Sequence, residues 1–265
     1  MSALLCVVDR RVVGVTQLHH VVYIVCQWSP AIIRFDAVTH QRLTDIAVDG
    51  LRWPFDIAAC EHTSSVYVLD YPECVWRVSS DGEDVKRWLP RSSSDTFKPL
   101  TLSVTSPRLL VTSCSSNQLM QFDAVGDEIR RVDLPDDMMD AHHAVESQTG
   151  TFIVSCGKLQ VNQWQVSEVN TGGQVLRRFI GSRLIPLGFT RHIAVDSQGN
   201  MFVADWETGR ILLLNSELAL RRVVIDERQL DNYKPLRLCY VEKSGQLLVR
   251  LDRDVAVFDV CVVDK

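Results

Sequence analysis

The fold is decided by residues 192–215, which read His192-Ile-Ala-Val-Asp-Ser-Gln-Gly-Asn-Met-Phe-Val-Ala-Asp205-Trp-Glu-Thr-Gly-Arg210-Ile-Leu-Leu-Leu-Asn215. Three short β-rich runs are separated here by a Gly-Asn turn and a Thr-Gly turn. Gly and Asn favour tight turns because both tolerate a positive φ. The stretch therefore predicts three short strands that fold back on one another.

The same pattern recurs along the chain at intervals of 42 to 50 residues. A period of this size is typical of a solenoid or a propeller. In every unit the recurring apolar run is followed by a second apolar run, which ends in Asp, Asn or Ser, residues that initiate turns. The recurring runs are Val22–Cys26, Val66–Asp70, Leu109–Ser113, Thr151–Ser155, Met201–Asp205 and Leu247–Leu251.

Each unit has a further strand-like segment before and after this pair of runs, which gives four short strands per unit. No segment keeps a helical period of about 3.6 residues over a dozen positions. Six units of four antiparallel strands predict an all-β fold, a six-bladed β-propeller that spans residues 1–265 as one domain. Because the last unit supplies only three strands, we expect the N-terminal run Leu4–Val8 to complete that blade and close the ring.

Composition restricts the class of protein further. The 265 residues are 46% hydrophobic and carry a formal net charge of −5. Such a chain has no overall basic field to attract DNA or an anionic membrane, and its apolar runs are far shorter than the ~18 residues of a membrane span. The eight cysteines lack metal-binding spacing, and the N-terminus lacks the features of a signal peptide. We therefore expect a cytoplasmic monomer with reduced thiols and no cofactor.

The fifth unit resembles the NHL repeat, whose pattern is an Ile-Ala-Val-Asp strand, a Gly-Asn turn, an aromatic-Val-Ala-Asp strand and then Arg-Ile. The second unit, with Trp53–Ala59 and Val66–Asp70, is a fair match. The resemblance implies a propeller similar to the C-terminal domain of tripartite-motif ubiquitin ligases, which binds protein partners or RNA. It extends distantly to lactonase-like propellers, which include calcium-dependent lactonases and the peptide amidating lyase, so the fold leaves the function open. The aspartate that ends the second strand is replaced in four units, by Cys26, Ser113, Ser155 and Leu251.

In a propeller, the loops that enter the first strand and those that join the second and third strands lie on one face, where the central channel opens. Loops on a rigid ring are the usual place for function. Alignment of the units predicts an inner ring of first-strand residues at this channel mouth: Gly14, Asp56, Thr101, His142, His192 and Arg237. A second ring follows the second strands: Gln27, Tyr71, Cys114, Cys156, Trp206 and Asp252.

Exposed Trp and Tyr beside Arg are enriched at protein interfaces. The sequence therefore predicts a non-catalytic recognition scaffold that binds a protein or peptide partner at the channel mouth. A structural interpretation stays open for Trp53 and Trp206, which could pack under neighbouring loops and seal the blades. The predicted partner-binding residues are Arg52, Trp53, Tyr71, His142, Arg191, His192, Trp206 and Arg237.

Two other functions stay open at this stage. RNA phosphates could contact basic loop residues while the aromatic residues stack on bases, although aspartates on the same loops cancel part of the charge. A metal-dependent lactonase- or lyase-like enzyme could use His142 and His192, but the predicted ring offers no third ligand. The basic loop residues are Arg52, Lys98, Arg191, Lys234 and Arg237.

Overall fold

The computed structural model describes residues 3–6, 10–72, 74–89, 98–105, 107–113, 116–158 and 163–260. These residues form twenty-four β-strands in six four-stranded antiparallel sheets. The first strands of successive sheets contact one another around a ring, and the last sheet contacts the first. The fold is the six-bladed propeller that the sequence predicts.

The strands of blades 1 to 5 follow one another outward from the channel. Blade 1 contains β2 (Val12–Leu18), β3 (Val21–Cys26), β4 (Ala31–Asp36) and β5 (Ile46–Ala47). Blade 2 contains β6 (Pro54–Cys60), β7 (Ser65–Asp70), β8 (Cys74–Ser79) and β9 (Val85–Leu89). Blade 3 contains β10 (Pro99–Thr105), β11 (Arg108–Ser113), β12 (Gln118–Phe122) and β13 (Glu128–Asp133).

Blade 4 contains β14 (His143–Glu146), β15 (Phe152–Lys158), β16 (Gln163–Val169) and β17 (Val175–Phe179). Blade 5 contains β18 (Thr190–Val195), β19 (Met201–Asp205), β20 (Arg210–Leu214) and β21 (Leu220–Ile225). Blade 6 contains β22 (Arg237–Val241), β23 (Gln246–Arg250) and β24 (Asp254–Asp259), with β1 (Ala3–Cys6) as its outermost strand.

Burial explains why the strands read as apolar on both faces. Neighbouring blades cover both faces of a sheet, and all six residues of β3 and of β7 are buried. The outermost strands β17 and β21 are more exposed, and each carries an exposed Arg-Arg pair. Charges on such edges discourage pairing with another sheet.

The N-terminal strand closes the last blade, as predicted. β1 pairs antiparallel with β24, with Leu5 opposite Val255. The side chain of Leu5 lies in the apolar core between blades 6 and 1, where it packs with Ile33 and Val257. Residues 7 and 8 of the predicted run lie outside the described residues. The chain therefore closes the ring by pairing its own two ends.

Blade 4 corrects the sequence alignment by one residue. That alignment matches Thr151–Ser155 with Met201–Asp205 and places His142 in the inner ring. In the structure His143 stands opposite Ser155, as His192 stands opposite Ala204. His143, not His142, is therefore the ring residue of blade 4. Side chains alternate between the two faces of a sheet, so a shift by one residue exchanges the faces of the whole strand.

The second ring needs the same correction. In blades 2 and 5 the residue after the second strand donates its N–H to the incoming loop: Tyr71 to the carbonyl of Trp53, and Trp206 to that of Phe189. In blade 4 the equivalent donor is Gly157, which bonds the carbonyl of Met139. Gly157 therefore stands where Cys156 was predicted, and Cys114 lies outside the described residues.

Within the described part of the chain, no helix is long and apolar enough to cross a membrane. Among the described cysteines, Cys26, Cys60, Cys74, Cys156 and Cys239 form no disulfide. Cys261 and the side chain of Cys6 are outside the described residues.

The closure of the ring predicts a sharp difference between adjacent residues of β1. Leu5 is 1% exposed and Leu4 is 42% exposed. We expect Leu5→Ala to lower the free energy of unfolding by about 2–4 kcal/mol, because it leaves a cavity between blades 6 and 1. The control Leu4→Ala should cost less than about 1 kcal/mol. Urea unfolding followed by tryptophan fluorescence measures both, and equal losses would show that β1 does not close the ring.

Candidate functional site

The inner ring at the channel mouth takes one residue from the first strand of each blade. Apart from the glycine, its members are polar and at most 8% exposed. The six residues have equivalent positions in the pairing of the first strand with the second strand of each blade. They therefore lie at one level of the propeller. The ring residues are Gly14, Asp56, Thr101, His143, His192 and Arg237.

Side chains of the ring hydrogen-bond to the backbone of the next blade. The N–H of Leu102 in blade 3 donates to Asp56 Oδ2 of blade 2 at 2.9 Å. Thr101 Oγ1 of blade 3 donates to the carbonyl of His142 in blade 4 at 3.0 Å. These bonds join the first strand of blade 3 to the first strand of blade 2 and to the residue that precedes the first strand of blade 4, so they hold the blades together where the channel opens.

The two ring histidines continue the same pattern. His143 Nδ1 accepts the N–H of Ile193 at 3.3 Å, and His192 Nδ1 accepts the N–H of Leu238 at 3.4 Å. The two imidazoles stack with centroids 3.6 Å apart. Burial, more than the nearby charge of Arg237, lowers the pKa of His143 to about 3. The pKa of His192 is also lowered well below its usual value, first by burial. Both rings are neutral and serve as hydrogen-bond acceptors.

Blade 1 contributes a glycine, and a buried ion pair spans it. A Cβ on Gly14 would lie 2.9 Å from the backbone nitrogen of Ile57, so a side chain does not fit. Arg237 of blade 6 reaches past this position and donates its Nε–H to Asp56 Oδ1 of blade 2 at 3.1 Å. Both side chains are buried. Burial raises the pKa of Asp56, and the guanidinium of Arg237 opposes that rise.

The aspartates of the repeat pattern position the loops that enter the first strands. Asp70 Oδ1 accepts the N–H of Trp53 at 2.6 Å. In blade 5, Asp205 Oδ2 accepts the N–H of Gly188 at 3.4 Å and also binds Arg210. The aspartate therefore has a structural role in the repeat, because it fixes the loop that carries the surface residues.

An exposed group of aromatic rings, the aromatic patch, covers the mouth face of blades 1 and 2; it consists of Trp28, Trp53, Phe55 and Tyr71. Trp28 is 65% exposed and Trp53 is 41% exposed, with ring centroids 6.5 Å apart. Tyr71 contacts Trp53 edge-on at 5.9 Å and Phe55 at 5.4 Å. The patch runs from solvent inward to the channel, where Arg237 lies 5.8 Å from the Phe55 ring.

Backbone contacts hold the patch in place. Trp28 has a φ of 57° in the turn between β3 and β4, and its carbonyl accepts a 2.7 Å hydrogen bond from Arg10 Nη1. The loop before β6 is fixed by Asp70 and by the N–H of Tyr71, which donates to the carbonyl of Trp53 at 3.0 Å. The exposed rings are therefore preorganised, which lowers the entropic cost of binding.

A second group, the arginine cluster, lies at the mouth of blades 4 and 5 and consists of His142, Trp164, Phe189, Arg191 and Trp206. The Arg191 guanidinium carbon lies 4.2 Å from the centroid of Phe189 and 5.4 Å from that of Trp206. Phe189 also contacts His142 at 4.6 Å and Trp164 at 4.3 Å. Phe189 is the centre of the cluster, and Arg191 lies across its face.

The predicted partner-binding residues fall into three places. Arg52, Trp53 and Tyr71 lie at the aromatic patch, and Arg52 is exposed. The arginine cluster contains His142, Arg191 and Trp206, of which Trp206 is half-buried against Phe189. His192 and Arg237 are buried in the inner ring and hold neighbouring blades together.

Phe55, Trp164 and Phe189 were not predicted, although two of them have a signal in the sequence. Phe189 occupies the position of Trp53 one residue before the first strand, so alignment of blade 5 with blade 2 finds it. Trp164 covers Gly157, where a Cβ would lie 2.0 Å from its ring. That glycine leaves the space in which the Trp164 ring packs.

The ring histidines do not form a set of metal ligands with their neighbours. Among the described residues, no group of three or more His, Cys, Asp or Glu side chains is placed to hold a metal ion. In His143, Nε2 also lies 3.3 Å from the carbonyl of Leu102, so both ring nitrogens contact backbone groups.

Comparison with solved structures finds the same architecture in proteins of different kinds. A protein of unknown function from Bacteroides thetaiotaomicron is 15% identical with a TM-score of 0.71, covering 97% of this chain and 71% of its own. A catalytically inactive variant of virginiamycin B lyase from Staphylococcus aureus, solved with quinupristin, is 11% identical with a TM-score of 0.67, covering 98% and 99%. A chain of the nidogen/laminin complex is 12% identical with a TM-score of 0.65, covering 86% and 84%.

No protein-family model matches the sequence, and no curated protein matches it. The likeness to the solved structures, at 10–15% identity, shows the propeller fold alone. The neighbours include a lyase and a member of a protein complex, so the fold does not select a function.

The buried pair predicts a strong asymmetry between single and double variants. We expect Asp56→Ala to destabilise the protein by about 3–5 kcal/mol, because it leaves the Arg237 charge buried without a partner. The double variant Asp56→Ala/Arg237→Met should recover part of this loss, since it removes the charge as well. Urea unfolding of the wild type and both variants measures the effect. A double variant less stable than Asp56→Ala would show that the pair does not act as a unit.

The buried histidines predict a loss of stability on acidification. The pKa of His142 falls from 6.5 to about 4, first through burial and then through the charges of Arg191 and Arg237. Between these two pH values the unfolded chain binds a proton that the folded chain does not. The free energy of unfolding should therefore fall with pH, by up to about 1.4 kcal/mol per unit for each such histidine.

His142→Asn should reduce this slope by about one proton between pH 6.5 and 4. The control His62→Gln, at an exposed residue on the opposite face, should keep the wild-type slope. Urea titrations at a series of pH values give the slopes, and identical slopes for the wild type and His142→Asn would contradict the assignment.

Proposed function

We propose that this chain is a non-catalytic recognition module that binds a peptide segment of a protein partner on the channel-mouth face. One observation carries the proposal: Trp28 and Trp53 lie side by side on this face, both exposed, on loops that the backbone holds in place. Tryptophan, tyrosine and arginine dominate the binding energy of protein interfaces. Fixed exposed rings of this kind bind a partner without first having to be ordered.

The contacts of the inner ring support a structural role for the buried histidines rather than a catalytic one. His143 and His192 stack on each other and bind backbone N–H groups of the next blade. A general base needs a free nitrogen within hydrogen-bond reach of the substrate. The surface available to a partner is therefore the aromatic patch with Arg52, together with the exposed parts of the arginine cluster.

The resemblance of units 2 and 5 to the NHL repeat agrees with this proposal, because such propellers bind protein partners or RNA. A protein partner fits better, since the exposed core of the patch is aromatic and the chain carries a net charge of −5. We also propose that the protein is a cytoplasmic monomer.

The patch should control peptide affinity. We expect peptides selected from a random display library on the wild-type protein to bind at least about tenfold more weakly to Trp28→Ala and to Trp53→Ala. Tyr233→Ala is the matched control, because Tyr233 is an exposed aromatic residue in another loop of the same face. Fluorescence anisotropy with labelled peptides gives the dissociation constants.

Full affinity of both tryptophan variants for every selected peptide would refute binding through the patch. Absence of any selected peptide, combined with retention of a random RNA pool that Arg191→Glu abolishes, would favour the RNA alternative. The salt dependence of that retention reports how many phosphates are contacted.

A further inference from the structure

Four arginines lie close together at the channel mouth. Arg11, Arg191, Arg237 and Arg250 are close enough that their charges act on one another. Arg237 pairs with buried Asp56, and Arg11 pairs with Asp252 at 3.2 Å. Among the described residues, no carboxylate forms an ion pair with Arg191 or Arg250. Four guanidinium groups thus face two carboxylates.

The guanidinium of Arg191 has an unsatisfied hydrogen-bond donor. Its Nε–H is shielded from solvent and donates to no acceptor in the described structure. The guanidinium is half-buried on the faces of Phe189 and Trp206. Burial lowers its pKa, and the charges of Arg237 and Arg11 lower it further. A buried donor on a charged group without an acceptor is costly, and an anion that accepts its hydrogen bond would remove that cost.

Arg250 and His142 lie near Arg191 and add a second charge and a second unsatisfied atom. Arg250 is buried, and its Nε–H donates to the carbonyl of Val12. Burial, followed by the charges of Arg237 and Arg11, lowers its pKa to about 9. His142 lies in the same cluster as Arg191, and its buried Nε2 also has no hydrogen-bond partner in the described residues. Two polar atoms of the arginine cluster, Arg191 Nε and His142 Nε2, are thus unsatisfied close to these arginines.

Two carboxylates on the rim already have partners. Asp137 pairs with Arg178, and Glu207 Oε2 accepts the N–H of Phe189 at 3.1 Å. These contacts keep both carboxylates committed within the loops rather than available to Arg191.

We propose that the channel mouth binds a carboxylate of an acidic peptide segment, with Arg191 as its main ligand and His142 beside it. The inference deepens the proposed function and rests on it, since it names the chemistry of the segment that is recognised. A carboxylate matches the planar fork of a guanidinium. The rings of Phe189 and Trp206 offer an apolar surface for the side chain that accompanies it.

A single carboxylate fits this mouth better than a polyanion. The four arginines form one small group at the mouth, while the whole chain carries a net charge of −5. Nucleic acid gains affinity by neutralising many phosphates along an extended basic surface. The site at Arg191 offers one guanidinium group rather than an extended basic surface.

The test uses two small acids and a neutral amide. N-acetylphenylalanine carries a carboxylate of the C-terminal type, and N-acetylphenylalaninamide is its neutral control. N-acetylglutamic acid α-amide carries a carboxylate of the side-chain type. We expect at least one of the acids to shift the Arg191 Nε–H resonance in ¹H–¹⁵N NMR and to bind at least about tenfold more tightly than the amide.

Variants separate Arg191 from the general charge of the face. Arg191→Gln should weaken acid binding at least about tenfold, and Arg191→Lys should retain part of it because the charge stays while the fork is lost. Arg253→Gln is the control, because Arg253 is an exposed arginine in the turn between β23 and β24 on the same face, and it should change binding less than about twofold. Equal losses in Arg191→Gln and Arg253→Gln would overturn the site.

Further outcomes are decisive in the same way. Equal affinity for acid and amide, or preference for inorganic phosphate or oligouridylate over both acids, overturns the carboxylate site. Tight binding of only one acid supports it and tells a C-terminal from a side-chain carboxylate. Selected peptides that depend on Trp28 but not on any carboxylate refute this inference and leave the proposed function standing. Acid probes that bind while no peptide is ever selected refute the proposed function instead.

Discussion

The inner ring of polar residues is the constraint on which the rest of the structure depends. Apolar packing between blades is non-directional and would tolerate sliding of one sheet over the next. Hydrogen bonds such as Leu102 N–H to Asp56, and Ile193 N–H to His143, permit one relative position only. Because these groups are buried, breaking any such bond leaves an unsatisfied partner, which is costly. The ring therefore fixes the register between blades.

The same bonds define what the channel mouth can do. They engage the titratable side chains of the inner ring. His143 and His192 accept backbone N–H groups, and Asp56 accepts the Nε–H of Arg237. The neighbouring loops are fixed relative to that ring by Asp70 and Asp205. The side chains just outside the ring, which include Arg191 and the exposed tryptophans, are not used by these bonds and lie on a rigid support.

The fold could be predicted from the sequence because the same short apolar runs form strands, and the same turn residues end them, in every blade. Asp70 and Asp205 stand out for the same reason, since each closes a second strand and fixes a loop. The site was harder to predict because side chains alternate with a period of two. In blade 4, Phe152 resembles Phe202 but lies one position out of phase, and this error exchanged His142 with His143. Trp164 contacts the cluster across a strand pair, which no local pattern reveals.

Repetition also explains how one fold carries two different surfaces. Trp53, Phe55 and Tyr71 of blade 2 occupy the positions of Phe189, Arg191 and Trp206 of blade 5. In both blades one aromatic residue precedes the first strand and another follows the second strand. A side chain near the start of the first strand lies beside these two rings. In blade 2 that residue is Phe55, and the group presents only rings; in blade 5 it is Arg191, and the rings support a charge. A single change at an equivalent position converts an apolar contact surface into a cationic one, because the backbone that presents both is the same.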